Sequence, residues 1–230
     1  FVQVVNDGQC IVLGGFSFNG AAHANFAHDI ACTVLGGADN AAGINDFVAF
    51  DQQAPEAMAR LVAVNLLAPI VLTQRLLPML KAAPRAQIIN VGSIFGYIGY
   101  PGYALYCATK FGLRGFSQAL RRELSDTDIQ VRYFAPRAVR TALNCAAVED
   151  MHKELRTTED APQAVAAELV RFIGGKRWDR RLGFPERLYV WLNHVAPGVN
   201  DNAIRRQLPV IRKFLGQRTD PLTHTRRSSL

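Results

Sequence analysis

From residue 40 onward two kinds of apolar run alternate along the chain, and that alternation leaves few folds open to it. Pro55 to about Lys81 carries Met58, Leu61, Val62, Leu66, Ile70 and Leu77 at helical spacings. Gln87–Val91 (QIINV) is a short apolar run ending at Gly92-Ser93, as expected of a strand buried on both faces. Tyr103–Leu124 is helical again, and Ile129–Ala135 is a further strand, stopped by Pro136. A helix is expected after Thr141, another from Pro162 to Ile173, and the last over Glu186–His194 and Asn202–Phe214. Strand–helix alternation of this kind predicts right-handed crossovers and an α/β fold, a doubly wound parallel sheet with helices on both faces. Residues 1–215 read as one domain and 216–230 as a polar, basic tail. Within the domain, about 176–215 reads as a lid or interface segment.

Composition narrows the partners. The formal net charge is +7. The cations are scattered through the C-terminal half (Arg121, Arg122, Arg137, Arg140, Arg180, Arg181, Arg205, Arg206), with no aromatic-interleaved basic tract, so no nucleic acid is expected. Cys10, Cys32, Cys107 and Cys145 lack metal-ligand spacing and read as buried, reduced thiols of a cytoplasmic protein. The five histidines are dispersed, and no metal site is expected. Phe1–Leu13 has no basic start followed by a long apolar run, so no secretory leader is expected there. Leu61–Leu72, interrupted by Asn65 and Pro69, is too short for a membrane span and reads as a buried helix.

The chemistry concentrates at Tyr106 and Lys110, with Ser93 thirteen residues before the tyrosine. Positions i and i+4 of a helix share a face, so the phenol and the ammonium emerge together. A nearby ammonium stabilises phenolate and is expected to bring the tyrosine pKa down from about 10 toward working pH. Such a phenol can exchange a proton with a carbonyl/alcohol pair. Ser93 ends a strand at the carboxyl edge, where parallel sheets place their ligands. Taken singly, each residue has a plainer reading: Asn65 could cap a kink before Pro69, Ser93 could cap a turn, and Thr141 could cap the next helix.

In their order these residues resemble the short-chain dehydrogenase/reductase family, with its Rossmann-like fold. Asn40-Ala41-Ala42-Gly43 resembles the family's Asn-Asn-Ala-Gly turn, and Asn65 falls in a helix where the family keeps a catalytic asparagine. Gly92-Ser93, Tyr106 and Lys110 match its serine, tyrosine and lysine, and Pro136 to Thr141 resembles its Pro-Gly-x-x-x-Thr stretch. The resemblance implies an NAD(P)-dependent oxidoreductase that interconverts a carbonyl and a secondary alcohol. Tyr106 would be the acid/base, Lys110 would hold the nicotinamide ribose and lower the tyrosine pKa, and Ser93 would orient the substrate oxygen. Asn65 would anchor a water leading from Lys110 to solvent. Cofactor contacts would come from Gly15, Ser17, Asn40, Ala41, Gly43, Pro136, Val139 and Thr141 besides Tyr106 and Lys110. Substrate contacts would come from Ser93, Phe95, Tyr100 and Tyr106, with Tyr97 and Tyr103 lining the mouth or packing a loop.

Residues 1–39 depart from the pattern. Ile11 to Ala21 stands where the family has Thr-Gly-x-x-x-Gly-x-Gly, but Gly14, Asn19 and Ala21 occupy the threonine and the second and third glycines. Asn19 crowds the close approach that phosphates need. Thr33–Asp39 is a candidate second strand, and two strands and two helices of the family have no room before Asn40. Loss of interior strands should prevent folding, so this reads as an incomplete cofactor half. Asp39 would favour NAD, while the positive charge leans slightly to NADP. Arg137 replaces the usual glycine. With Leu182–Leu188 and Arg206–Pro209, it resembles a bacterial subgroup of short-chain oxidoreductases, which implies no substrate.

Trp178, Phe184, Leu188, Tyr189, Val190, Trp191, Leu192 and Val195 make the C-terminal segment aromatic and apolar. A hydrophobic or acyl-type substrate is expected, with ordinary packing or a subunit interface an equal account of the same residues, and contact with a membrane surface a lesser one. The family habit implies a homodimer or homotetramer through the helices at 55–81 and 103–124. The rival reading is a binding or scaffold protein that kept the fold and lost the dinucleotide.

Overall fold

The computed structural model describes residues 2–6, 9–14, 37–40, 43–141 and 144–215, the first three segments as backbone only. Among them, six strands form one sheet in the order β1-β2-β3-β4-β5-β6. β1 (Val2–Asn6) and β2 (Gln9–Gly14) make an antiparallel hairpin at one edge. β3 (Gly37–Asn40), β4 (Ala86–Val91), β5 (Ile129–Ala135) and β6 (Asp179–Arg181) follow in parallel.

Most of residues 1–39 lie outside the described residues, and with them the expectation of an incomplete cofactor half. β2 lies directly beside β3, with Leu13 opposite Asp39 and Gly14 opposite Asn40. In a doubly wound sheet the second and third strands lie outside the first, toward one edge. Leaving them out shortens that edge and deprives no central strand of its ladder. Of the candidate second strand at Thr33–Asp39, residues 37–39 fall in the strand Gly37–Asn40, which pairs with β4 and delivers the Asn40 turn, and 33–36 lie outside the described residues.

β4 explains why the sheet is covered twice. Ile88 packs with Leu80, Leu120, Leu124 and Val131 on one face, and Ile89 packs with Phe134, Leu169, Phe172 and Ile173 on the other. Successive side chains of a strand point oppositely, so two adjacent isoleucines demand helices on both sides. The first face receives α1 (Pro55–Val62), α2 (Ala68–Ala82) and α3 (Ala104–Glu123), and the second receives α5 (Pro162–Ile173). Buried Arg132 donates to the Phe172 and Ile173 carbonyls and to Arg177 O, closing the C-terminal end of α5 where carbonyls lack intrahelical partners.

α1 and α2 are joined by a π-helical turn, Ala63–Leu67, into one rod over Pro55–Ala82. That rod of 28 residues is long and apolar enough to cross a membrane by length and composition, which the narrower view of Leu61–Leu72 overlooked. It is also not simply buried. Leu61, Asn65, Pro69 and Thr73 pack inward at every fourth position, while Val62, Leu67 and Val71 face outward. After β5 come α4 (Ala146–Glu154), then α5 and β6, and last a hairpin of α6 (Phe184–Val195) and α7 (Pro197–Leu215). α4 begins after Cys145, so Thr141 is not its cap, and Cys145 is exposed rather than buried.

Candidate active site

The carboxyl ends of β4 and β5, the start of α3 and the α6–α7 hairpin enclose a cavity of about 750 Å³. That volume suits a small-molecule or cofactor site. Ser93 leaves β4 and caps a short 3₁₀ turn at Ile94–Gly96, its hydroxyl accepting from Phe95 N at 3.1 Å. The capping role therefore holds alongside the site role, since Ser93 also lies close enough to the Tyr106 hydroxyl to favour its ionised form.

Tyr106 and Lys110 project from the first turns of α3 onto the cavity. Lys110 Nζ stands 5.7 Å from the centre of the Tyr106 ring and donates to Val91 O at 3.2 Å. Burial pushes the Tyr106 phenol up to about 12, against the nearby Ser93 side chain, which favours the phenolate. Burial draws the Lys110 ammonium down to about 8. The expected fall of the tyrosine pKa through Lys110 is thus corrected: with the ammonium turned to a backbone carbonyl, desolvation wins. At neutral pH the phenol holds its proton, which suits it to give one to a carbonyl oxygen.

Asn65 is fully buried in the π-helical turn. Its amide closes a ring with one backbone unit, accepting from Ile44 N and donating to Ile44 O, both at 2.8 Å. It therefore fixes the loop after β3 rather than a kink before Pro69. A Cβ on Gly43 would lie 3.5 Å from Asn65 Oδ1 and 3.6 Å from Lys110 Nζ, so loop, asparagine and lysine meet at one point.

Pro136, Val139 and Thr141 line the same cavity, as do Phe95 and Tyr100. Tyr103 joins them, whereas Tyr97 packs away from the cavity and donates to Asp179 at 2.5 Å. Gly15, Ser17 and Ala41 lie outside the described residues, and Asn40 is described only as backbone in β3. The part of the cavity made by Gly43, Lys110, Val91 and Pro136–Thr141 therefore fits the nicotinamide end of a dinucleotide.

Two kinds of functional residue escaped the sequence. Tyr133 of β5 is fully buried beneath the site; its hydroxyl donates to Lys110 O at 3.2 Å, and the Ser93 backbone lies near enough to act on it. It ties the strand carrying the serine to the helix carrying the lysine. A Cβ on Gly92 would overlap the Tyr133 ring, so glycine is required there. The other kind comes from the C-terminal half, where Met151, His152, Tyr189, Asn200, Ile204 and Gln207 form the far wall. Tyr100 Oη donates to Gln207 Oε1 at 2.8 Å across that wall. Only long-range packing brings them in, although the aromatic run at 184–195 signalled the region.

Arg137 is held in a fork by Asp160 at 2.7 and 2.9 Å, and reaches Glu186 at 3.3 Å. It joins the loop after β5 to the start of α6. Gly183 has φ +83°, and a Cβ there would strike the Glu186 carboxylate, so glycine permits this ion-pair bridge.

A parallel α/β sheet with a nucleotide-sized cleft at its carboxyl edge and a Ser–Tyr–Lys group on that edge defines a dinucleotide-type oxidoreductase fold. The family model described as "short chain dehydrogenase" matches residues 34–152, and the chain belongs to that family. Dehydrogenase/reductase SDR family member 7B of Bos taurus is 29% identical over 167 residues, 70% of this chain and 51% of that protein. A short chain dehydrogenase from Burkholderia cenocepacia, solved in complex with NADP, superposes with a TM-score of 0.62 at 20% identity, covering 74% of this chain and 68% of that one. The bulky-bulky ketone specific alcohol dehydrogenase from Comamonas testosteroni gives 0.57 at 25% identity, covering 73% and 63%. The chain spans about half the length of the curated relatives it matches.

Proposed function

We propose that this chain is an NAD(P)-dependent oxidoreductase that interconverts a carbonyl and a secondary alcohol. The observation that carries the reading is the meeting of the Tyr106 hydroxyl, Ser93 and Lys110 at one end of the cavity. When bound, the nicotinamide would supply or accept the hydride. Lys110, Gly43, Pro136, Val139 and Thr141 would hold it, with Asn65 keeping the Gly43 loop in place. Ser93 would hold the substrate oxygen, and Tyr106 would give that oxygen its proton in reduction or take it in oxidation. NADP is favoured over NAD by the net charge of +7.

The far wall supports an apolar substrate. Phe95, Tyr100, Tyr189 and Ile204 offer ring and aliphatic surface, and beside them stand amides and hydroxyls, His152, and the ion-paired Arg137 and Glu186. Outward-facing Leu67, Val71 and Phe111 on α2, its lead-in turn and α3 support pairing of two copies along those helices. The test is a panel of hydrophobic ketones and acyl-type carbonyls assayed with NADPH and NADH. Turnover that disappears in Tyr106→Phe while nucleotide binding persists is the expected result.

A second reading, a binding or scaffold protein without dinucleotide affinity, draws support from Gly14, Asn19 and Ala21 at positions where the family keeps threonine and glycines. Fluorescence titration separates the two. Saturable binding of either reduced nucleotide removes the scaffold reading, and no binding of both removes the oxidoreductase.

A further inference from the structure

α6 is apolar on two opposite sides. Its inner side packs through buried Val190 and turns Glu186 and Tyr189 toward the cavity. Its outer side carries Phe184, Leu188, Trp191 and Val195, which are 78%, 45%, 57% and 57% exposed. At 3.6 residues per turn these four fall within about 60° of arc, a single row along the helix. Val199, in the first turn of α7, is also exposed. Beside the row lies Arg187, exposed and without an ion-pair partner among the described residues, and Arg205 and Arg206 are exposed on α7. The acids of the hairpin are Glu186, already taken by Arg137, and Asp201.

We infer that the α6–α7 hairpin docks on an anionic phospholipid surface, with the Phe184–Val195 row in the headgroup layer and the arginines against lipid phosphates. A helix with Trp, Phe and Leu along one line and unneutralised arginines beside it has the make-up of an interfacial helix. A second copy is the weaker occupant. The row is one helix wide and about 18 Å long, well short of the roughly 800 Å² per partner that a stable dimer covers. Because the opposite side of α6 is a wall of the cavity, docking leaves one helix thickness between the cavity and the lipid. Delivery of an apolar substrate from the membrane is then a corollary that rests on the proposed oxidoreductase reading; docking itself does not.

The test uses the full chain and vesicles of phosphatidylcholine alone or mixed equally with phosphatidylglycerol, read by co-sedimentation and by tryptophan emission at low salt. Expected are binding to the mixed vesicles, a blue shift of the emission, and a loss of about tenfold or more in partitioning for Leu188→Glu/Val195→Glu. That double variant keeps Trp191 as reporter, and its circular dichroism should be unchanged because both positions are exposed. Arg187→Gln should weaken binding by a smaller factor. The proposal is overturned if the full chain ignores both vesicles, or if the double variant binds as well as the parent. It is equally overturned if the double substitution dissociates an oligomer, which makes the row a contact between copies. A chain ending at Leu215 that gains vesicle binding absent from the full chain would make the tail the occupant, and would also overturn it. None of these readouts needs turnover.

Discussion

The two ends of the cavity are built on different principles. At the end holding Ser93, Tyr106 and Lys110, polar side chains are tied to backbone: Lys110 donates to Val91 O, Asn65 pairs with Ile44, and the Tyr133 hydroxyl donates to Lys110 O. At the other end the wall comes from α4, α6 and α7, and Tyr100 reaches it through its hydrogen bond to Gln207. Displacing Asn65, Lys110 or Tyr133, which are buried, leaves a buried polar atom unpaired, at a cost of about 1–3 kcal/mol each. The second end is shaped by packing, and packing tolerates exchange of side chains of similar volume. Chemistry should therefore be intolerant at one end, and selectivity adjustable at the other.

The largest expected effect is on Tyr106→Phe. Removal of the hydroxyl should lower kcat by about 10³-fold, within the usual contribution of a positioned acid/base, while nucleotide affinity stays near its parent value. Its counterpart at the other end, Gln207→Leu, breaks the Tyr100 contact and should change KM a few-fold with little change in kcat. Comparable losses of kcat in the two variants would erase the distinction between the ends.

Tyr133→Phe sharpens the comparison from beneath. Without its hydroxyl, Lys110 O loses a partner beneath Ser93, and kcat should fall about tenfold for a loss of roughly 1 kcal/mol in stability. A purely structural role would lower Tm and leave kcat unchanged, so both are measured on the same preparation. Gly92→Ala forces a methyl group into the Tyr133 ring and should cost about 1–3 kcal/mol as an overpacking change, read as a drop in Tm.

How much of this was legible follows the same division. The strand Ile129–Ala135 and the helix Pro162–Ile173 stand where the sequence put them, because Pro136 and Pro162 are physical stops that periodicity alone does not supply. Ser93, Tyr106 and Lys110 were legible because a helical i, i+4 pair after a strand end fixes their meeting without knowledge of the rest. β6 was not: Asp179–Arg181 is a run of charges with no apolar alternation, and it is a strand only because β5 offers it an edge. Tyr133 was not, because a buried tyrosine in a strand looks the same whether its hydroxyl spans two elements or packs idly. The far wall depends on how α6 and α7 fold back over the sheet, which no local pattern records.

The smallest expected effect concerns Lys110 and turns on sign. Its pKa falls from 10.5 to about 8 on burial, so between those values the unfolded chain binds a proton that the folded chain has released. Stability must then rise as pH rises through about 8 to 10, by up to roughly 1–3 kcal/mol for a shift of this size. Above pH 10 Tyr106 acts oppositely, since its folded-state pKa of about 12 exceeds its ordinary 10 and stability declines as unfolded phenol ionises. Lys110→Met should abolish the rise between pH 8 and 10 and leave the decline above it, as read from denaturation midpoints at each pH. Carbonyl reduction in the parent should meanwhile fall above about pH 8, as the ammonium proposed to hold the nicotinamide end is lost. A parent protein whose stability is flat across that interval would mean that Lys110 keeps its proton, and that its burial is offset by a partner stronger than Val91 O.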